Sequence, residues 1–296
     1  MDQFKHLHPK FREVAALPDE QRKQFIKQKR WINYPVATRA INILAETLNY
    51  PKQARMPWLL LTGDSNNGKT SIIERFCKLH GEEYVTEEEE ILIKPVVVIE
   101  QSGPSIRDLY YTILKNFWAP IGPNTVISTM RNEALSHLLQ SKTQMLIIDE
   151  FHTLNNGTAR AKNDALAEIK RISNTLRIPI VATGIPSAAN IIREDSQIQS
   201  RFTSMQLPKW KLDKDFRSLL NAFEKVLPLR EPSGLASKKL ATEIHAISQG
   251  NLGNVHELLK VCANSAITKG IEKIDVDIVE SFSCYTPTDG PRYIEL

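Results

Sequence analysis

The chain has 296 residues, of which 42% are hydrophobic and 24% are charged, which is the balance of a globular protein with a sizeable core. Its net charge of +4 permits binding to nucleic acid without requiring it. The sequence lacks the ~18 consecutive apolar residues that a membrane span needs, and its N-terminus is charged where a signal peptide would be apolar. The three cysteines have no metal-ligand spacing, so we expect a cytoplasmic protein with reduced thiols and no membrane partner.

The first 50 residues are charged and have helical spacing. Pro18 to Arg22 opens a helix that is basic through Arg30, and Pro35 starts a second helix with an apolar face that reaches Leu48. We expect residues 1–50 to form a basic, helical N-terminal extension.

Residues 63–70 read G-D-S-N-N-G-K-T, which is the G-x-x-x-x-G-K-T pattern of a phosphate-binding loop. An apolar run before the loop predicts a buried strand, and the spacing after it predicts a helix, so the motif has the context it requires. In such loops the backbone N–H groups surround the phosphates, Lys69 adds a positive charge, and the Thr70 hydroxyl can ligate Mg²⁺. We therefore predict ATP and Mg²⁺ as cofactors, with nucleotide contacts at Gly63, Asp64, Ser65, Asn66, Asn67, Gly68, Lys69, Thr70 and Ser71.

A second motif lies 80 residues beyond Lys69, where four apolar residues, Met145 to Ile148, precede Asp149 and Glu150. This pattern predicts a buried strand that places two carboxylates at its C-terminal end, where open α/β sheets bind ligands. We predict that Asp149 shares the Mg²⁺ with Thr70 and that Glu150 activates the attacking water.

Strand patterns alternate with helical patterns between residues 51 and 211, and only helical patterns follow. The alternation predicts an α/β fold, a nucleotide-binding core with a parallel five-stranded sheet. The strands are expected at residues 56–62, 95–100, 145–150, 179–184 and 204–207. Helices at about 213–227, 237–249, 254–269 and 275–282 predict a small helical lid over residues 212–282, and residues 283–296 are expected to form a flexible tail.

This organisation resembles the AAA+ P-loop ATPases. Thr183 matches the family's sensor-1 position, and Gln199-Ser200-Arg201-Phe202 resembles its S-R-F box. The resemblance implies that Arg201 reaches the nucleotide of a neighbouring subunit, with Arg193 as a weaker candidate. It also places Tyr34 and Pro35 in an adenine pocket. The lid stretch Gly250 to Val255 lacks the sensor-2 arginine of many members, and we expect Asn254 to cap the next helix there.

Within that superfamily, the order of motifs over about residues 10–282 resembles the TniB/TnsC transposition ATPases. The resemblance implies a bacterial, nucleoid-associated regulator that assembles as a helical homo-oligomer on double-stranded DNA. It further implies partners, namely a transposase and a target-selection protein, and a DNA interface without sequence preference. The loops that would face the DNA suggest four contact residues: Ser102, Arg107, Thr125 and Arg131.

Two other functions fit the same motifs. One is an AAA+ helicase loader or replication initiator, and the other is a P-loop phosphotransferase that acts on a small molecule. The run Asp149 to His152 also spells the D-E-x-H of helicases, but no second helicase motif follows, so we interpret His152 as a packing or capping residue. The four tryptophans, Trp31, Trp58, Trp118 and Trp210, are widely spaced, and we interpret all of them as packing residues.

Overall fold

The structure is a computed structural model, and it describes residues 4–88, 90–194 and 196–282. The predicted flexible tail, residues 283–296, lies outside the described residues. The helices are α1 (Pro9–Ala15), α2 (Asp19–Lys27), α3 (Pro35–Leu48), α4 (Lys69–His80), α5 (Ile106–Lys115), α6 (Ile127–Gln140), a 3₁₀ helix (Phe151–Asn156), α7 (Ala159–Leu176), α8 (Ala188–Arg193), α9 (Ser196–Gln199), α10 (Lys214–Glu224), α11 (Lys238–Ser248), α12 (Leu252–Thr268) and α13 (Val276–Glu280). The strands are β1 (Trp58–Thr62), β2 (Tyr84–Val85), β3 (Leu92–Ile93), β4 (Val96–Glu100), β5 (Met145–Asp149), β6 (Ile180–Gly184) and β7 (Phe202–Gln206).

The described chain divides into two compact units. One unit contains residues up to 35, residues 66–68 and residues from 208 onward, and the other contains residues 36–65 and 69–207. The N-terminal helices α1 and α2 therefore belong to the same unit as the C-terminal helices, whereas most of α3 belongs to the unit with the sheet. The domain boundaries stated above stay a prediction.

The larger unit is built on a five-stranded sheet in the order β4-β5-β6-β1-β7, with every neighbouring pair parallel. This confirms the predicted parallel sheet. Strands β1, β5 and β6 are buried along their whole length, which explains why they appear in the sequence as short apolar runs. Because parallel strands end at the same edge, Thr62, Asp149 and Gly184 all lie at the carboxyl edge of this sheet.

A short hairpin that the sequence did not predict precedes β4. Strands β2 and β3 pair antiparallel, with Tyr84 opposite Ile93. The acidic run forms the connection between them, and Glu87, Glu88 and Glu90 are exposed, as expected of a solvated loop.

In the smaller unit, α2 packs against α12, and a buried ion pair supports this packing. Arg22 is completely buried, and its guanidinium donates to both carboxylate oxygens of Glu272 at 2.7 Å. It also donates to Asp19 at 2.7 Å and to the Pro228 carbonyl at 3.1 Å. A basic residue of the predicted extension is therefore used for internal packing.

The start of α12 differs from the prediction that Asn254 caps it. The cap is Asn251, whose Oδ1 accepts the N–H groups of Gly253 at 3.1 Å and Asn254 at 3.2 Å. Asn254 is buried inside the helix, where its side chain donates to the Ser248 carbonyl. The prediction was wrong because both asparagines suit a cap, and only the actual turn places one of them one residue before the helix. No helix among the described residues is long and apolar enough to cross a membrane.

Candidate nucleotide site

The phosphate-binding loop joins the end of β1 to the start of α4, as the sequence predicted. The N–H of Gly63 donates to the Gly184 carbonyl at 3.2 Å, which fixes the first residue of the loop to the end of β6. Lys69 is buried, and its ammonium donates to the carbonyls of Gly63 at 2.9 Å and Asp64 at 2.8 Å. Burial lowers the pKa of Lys69, although the carboxylates of Glu150, Asp149 and Asp64 oppose this shift. A positive charge is thus held inside the loop where a phosphate would enter.

Residues 66–68 of the loop belong to the smaller unit and contact its helices. Gly68 has φ +86°, and a Cβ there would lie 3.1 Å from a Leu252 methyl and 3.4 Å from the Tyr34 hydroxyl, so a glycine is required. The Asn66 carbonyl accepts the N–H of Gly253 at 2.9 Å. A Cβ on Gly253 would lie 2.2 Å from the Asn66 side chain. Gly253 therefore allows direct backbone contact with Asn66 in the loop.

The oxygen groups predicted to hold Mg²⁺ are brought together at the carboxyl edge of the sheet. The Thr70 hydroxyl donates to Oδ2 of Asp149 at 3.1 Å. Thr183, which is buried in β6, donates to Oδ1 of the same carboxylate, and the Glu150 N–H also donates to Oδ1, at 2.8 Å. A hydroxyl and a carboxylate side by side are the hard oxygen ligands that Mg²⁺ prefers, so these residues fit the ion.

Glu150 follows directly after β5 in a left-handed conformation, with φ 54° and ψ 34°. Non-glycine residues adopt this conformation infrequently, and it is often found at functional sites. The turn directs the chain into the 3₁₀ helix and places Oε2 of Glu150 3.2 Å from Nδ1 of His152. His152, which the sequence suggests is a packing or capping residue, therefore lies beside this carboxylate. The adjacent D-E-x-H spelling was the available signal for a role in the site.

Tyr34, the predicted adenine-pocket residue, lies in an aromatic cluster of the smaller unit. Its ring stacks on Trp31 at 6.4 Å and meets Trp210 edge-on at 5.4 Å. Burial raises the pKa of its hydroxyl to about 12, so the hydroxyl stays protonated at neutral pH. Pro35, its predicted partner, is the first residue of α3.

Three of the four tryptophans pack as predicted, and one does not. Trp58 is 1% exposed and donates its indole N–H to Ser173 at 3.0 Å. Trp118, in contrast, is 76% exposed and has a positive φ of 51°. The prediction for Trp118 was wrong because, in the turn after α5, its neighbours Phe117 and Ala119 pack against the core while its own ring faces solvent.

Arg201 lies between α9 and β7, at the edge of the sheet. Its guanidinium donates to the Asn174 side chain at 2.9 Å and lies 5.7 Å from the centre of the Trp58 ring. Burial and the nearby charge of Arg55 lower its pKa. These contacts define one position for the side chain, and its role toward a neighbouring subunit stays a prediction.

The four residues suggested for DNA binding do not form one group. Arg107 donates to the Thr125 carbonyl at 2.8 Å and to the Pro123 carbonyl at 2.7 Å, so Arg107 and Thr125 lie together. Arg131 instead binds the buried carboxylate of Glu168 through two hydrogen bonds, at 3.0 and 2.7 Å. Ser102 is exposed. All four assignments stay predictions.

Comparisons with known proteins give the family and the fold. A family model described as bacterial TniB protein matches residues 22–212, which is more than half of the chain. No curated protein sequence matches the chain significantly.

Solved structures with the same fold include two origin-recognition proteins of Aeropyrum pernix. The ORC2 protein, solved in ADPNP–ADP complexes, is 14% identical with a TM-score of 0.62, and the match covers 88% of this chain and 71% of that chain. The ORC1 protein, solved in complex with DNA, is 16% identical with a TM-score of 0.61, covering 88% and 68%. The T158V variant of Thermotoga maritima RuvB is 17% identical with a TM-score of 0.53, covering 88% and 74%. These likenesses confirm the α/β fold of the AAA+ P-loop ATPases.

Proposed function

The chain belongs to the bacterial TniB family, and from that membership we propose that it is an ATP-dependent regulator of DNA transposition. In this proposal it assembles as a helical homo-oligomer on double-stranded DNA without sequence preference. The oligomer marks the target site, recruits the transposase in concert with a target-selection protein, and disassembles when ATP is hydrolysed. The basic balance of the chain, with 38 basic and 34 acidic side chains, supports a role on DNA.

One observation supports the ATPase part of the proposal most strongly. The carboxylate of Asp149 accepts hydrogen bonds from Thr70 in the phosphate loop and from Thr183 at the end of β6. Three segments that are far apart in the sequence thus meet on one carboxylate, at the sheet edge where α/β proteins bind ligands. A carboxylate used only for solubility would not be held between two hydroxyls.

The proposed mechanism assigns a separate task to each side chain. Lys69 and the loop N–H groups bind the β- and γ-phosphates, and Thr70 and Asp149 hold Mg²⁺, which neutralises phosphate charge when bound. Glu150 accepts a proton from water as the water oxygen bonds to the γ-phosphorus. The bond between that phosphorus and the bridging oxygen then breaks, and ADP is the leaving group. In this mechanism Thr183 contacts the γ-phosphate.

The neighbouring subunit completes the site in this proposal. Arg201 of one copy stabilises the charge that develops on the γ-phosphate bound to the next copy. Loss of the γ-phosphate removes the partner of Arg201, which loosens the interface between copies. Hydrolysis would then release the oligomer from DNA.

Electron microscopy of the protein with plasmid DNA tests the proposal. Filaments or rings on the DNA should appear with a slowly hydrolysed ATP analogue and be absent without it. Lys69→Ala should bind no nucleotide and should form no filaments or rings. Glu150→Gln should bind ATP and stay assembled on DNA even when ATP itself is supplied. If Lys69→Ala still assembles in an ATP-dependent way, or if wild-type protein stays monomeric under every condition, the proposal is wrong.

A further inference from the structure

His152 lies beside the carboxylate that the mechanism uses as a base. The left-handed backbone of Glu150 ends β5 and turns the chain into the 3₁₀ helix, and Phe151, completely buried in the core, anchors that turn. This turn places His152, which follows Phe151, beside the side chain of Glu150. Its Nδ1 lies 3.2 Å from Oε2 of Glu150.

The imidazole ring is also seated against the end of β6. A Cβ on Gly184 would lie 3.4 Å from both the backbone N and Nδ1 of His152, so the ring and the strand end are in van der Waals range. Gly184 directly follows Thr183, which donates to Asp149. The ring of His152 thus lies close to both Glu150 and the end of the strand that carries Thr183.

The hydrogen-bonding state of this ring nitrogen is unusual. Nδ1 of His152 is buried, and among the described residues it makes no hydrogen bond, although Oε2 of Glu150 is only 3.2 Å away. A buried polar atom without a partner costs free energy, about 1–3 kcal/mol. A small rotation of the Glu150 side chain would align the two atoms and remove that cost. Among the described residues, Glu150 is the partner that the geometry offers to this nitrogen.

Glu150 needs such a partner because its backbone fixes only its Cα and Cβ. The side chain has three further torsions, and the carboxylate is 40% exposed. A general base has to be held within about 0.5 Å of its productive position by groups that are themselves fixed. The turn that carries His152 is anchored by the buried Phe151, and so His152 can supply this restraint.

We propose that His152 is a positioning residue that donates a hydrogen bond from Nδ1 to Glu150 and thereby orients this carboxylate toward the attacking water. The inference rests on the proposed ATPase function. His152 acts only through Glu150, binds no phosphate, and leaves the affinity for ATP unchanged.

Matched substitutions separate this role from simple packing. The amide nitrogen of asparagine falls near the place of Nδ1, whereas that of glutamine falls near Nε2. His152→Asn should therefore keep most of the wild-type kcat. His152→Gln and His152→Ala should lower kcat by about 10–100-fold, the range seen when an orienting partner of a functional group is lost. The ATP dissociation constant of all three variants should equal that of wild type, and thermal unfolding confirms that each is folded.

A double-mutant cycle provides the decisive readout. In the Glu150→Gln background, His152→Ala should not reduce single-turnover hydrolysis further, because its only target has been removed. The inference is overturned if His152→Ala has wild-type kcat, if His152→Asn fails as badly as His152→Ala, or if the two substitutions prove additive. These results leave the proposed function intact as long as wild type hydrolyses ATP and Glu150→Gln hydrolyses it at a much lower, measurable rate. If wild-type protein shows no hydrolysis, the proposed function itself fails.

Discussion

The hydroxyl of Thr183 donates a hydrogen bond to Oδ1 of Asp149, which connects the ends of the neighbouring strands β6 and β5. Both groups are buried, and the other oxygen of the carboxylate accepts from Thr70 at 3.1 Å. The orientation of Asp149 is therefore set by two hydroxyls from opposite sides.

Thr183→Val removes this hydrogen bond while keeping the shape of the side chain. We expect a lower rate of ATP hydrolysis with little change in ATP affinity, and a loss of stability of about 1–3 kcal/mol from the buried oxygen that loses a donor. Steady-state turnover and nucleotide titration measure the two effects. Thr183→Ser keeps the hydroxyl and should behave almost as wild type; equal defects in Ser and Val variants would assign the effect to packing.

Arg201→Ala should abolish hydrolysis if the arginine acts on the nucleotide of a neighbouring copy. The same protein should regain activity when mixed with the equally inactive Lys69→Ala protein. In such mixtures a copy with an intact phosphate loop can lie next to a copy with an intact Arg201. ATP turnover of the mixture, compared with each variant alone, is the measurement.

Arg193→Ala is the matched control for Arg201, since Arg193 is an exposed arginine at the end of α8. It should retain wild-type turnover. A mixture that recovers no ATP turnover would mean that Arg201 does not act between copies. If Arg193→Ala loses its ATP turnover, Arg193 would instead be the arginine that acts on the neighbouring nucleotide.

Arg22→Ala should destabilise the protein strongly, because it removes a completely buried guanidinium that binds Glu272, Asp19 and the Pro228 carbonyl. Breaking a buried ion pair costs about 3–5 kcal/mol. Lys23→Ala, on the same helix, removes an exposed pair with Glu20 and should cost less than about 1 kcal/mol. Urea unfolding of both variants checks the comparison, and similar losses would show that the Arg22 pair contributes no more than a surface pair.

The stability that Arg22 provides should depend on pH. Burial raises the pKa of Glu272, but the hydrogen bonds and charges of Arg22 and, to a lesser extent, Arg230 outweigh this effect and lower the pKa below its ordinary value. A carboxylate with a lowered folded pKa contributes stability above its unfolded pKa, about 4.3, and loses that contribution as the pH falls through the folded value. The difference in unfolding free energy between wild type and Arg22→Ala should therefore be full at pH 7 and shrink under acid conditions. A constant difference would contradict the ion-pair explanation.

Gly253→Ala should weaken ATP binding, because the added methyl group would lie 2.2 Å from the Asn66 side chain in the phosphate loop. Gly234→Ala is the comparison: its added methyl meets no atom within 4 Å, although its φ of +66° strains the backbone. That variant should lose stability and keep the ATP affinity of wild type. Nucleotide titration distinguishes the two, and unchanged affinity in Gly253→Ala would show that the loop tolerates a displaced Asn66.

Local patterns in the sequence were sufficient to predict the strands of the five-stranded sheet and the phosphate-loop motif. The motif of residues 63–70 and the apolar strand before Asp149 each depend on a few consecutive residues, and steric and hydrogen-bonding rules act at that range. The parallel sheet followed from the alternation of strands and helices. The two-residue strands β2 and β3 were not predicted, because a hairpin so short has too few residues to show a period.

Contacts between distant parts of the chain were decided only by the tertiary structure. Arg22 and Arg131 look like solvated basic residues in the sequence, yet each binds a carboxylate distant in the sequence, Glu272 in one case and the buried Glu168 in the other. Trp118 looks like a packing residue and is exposed. The sequence by itself determined that a phosphate loop and a pair of acids exist, because their chemistry lies in adjacent residues. Which polar groups meet, including His152 beside Glu150, was decided by folding, because charge and burial depend on neighbours that the order of residues does not specify.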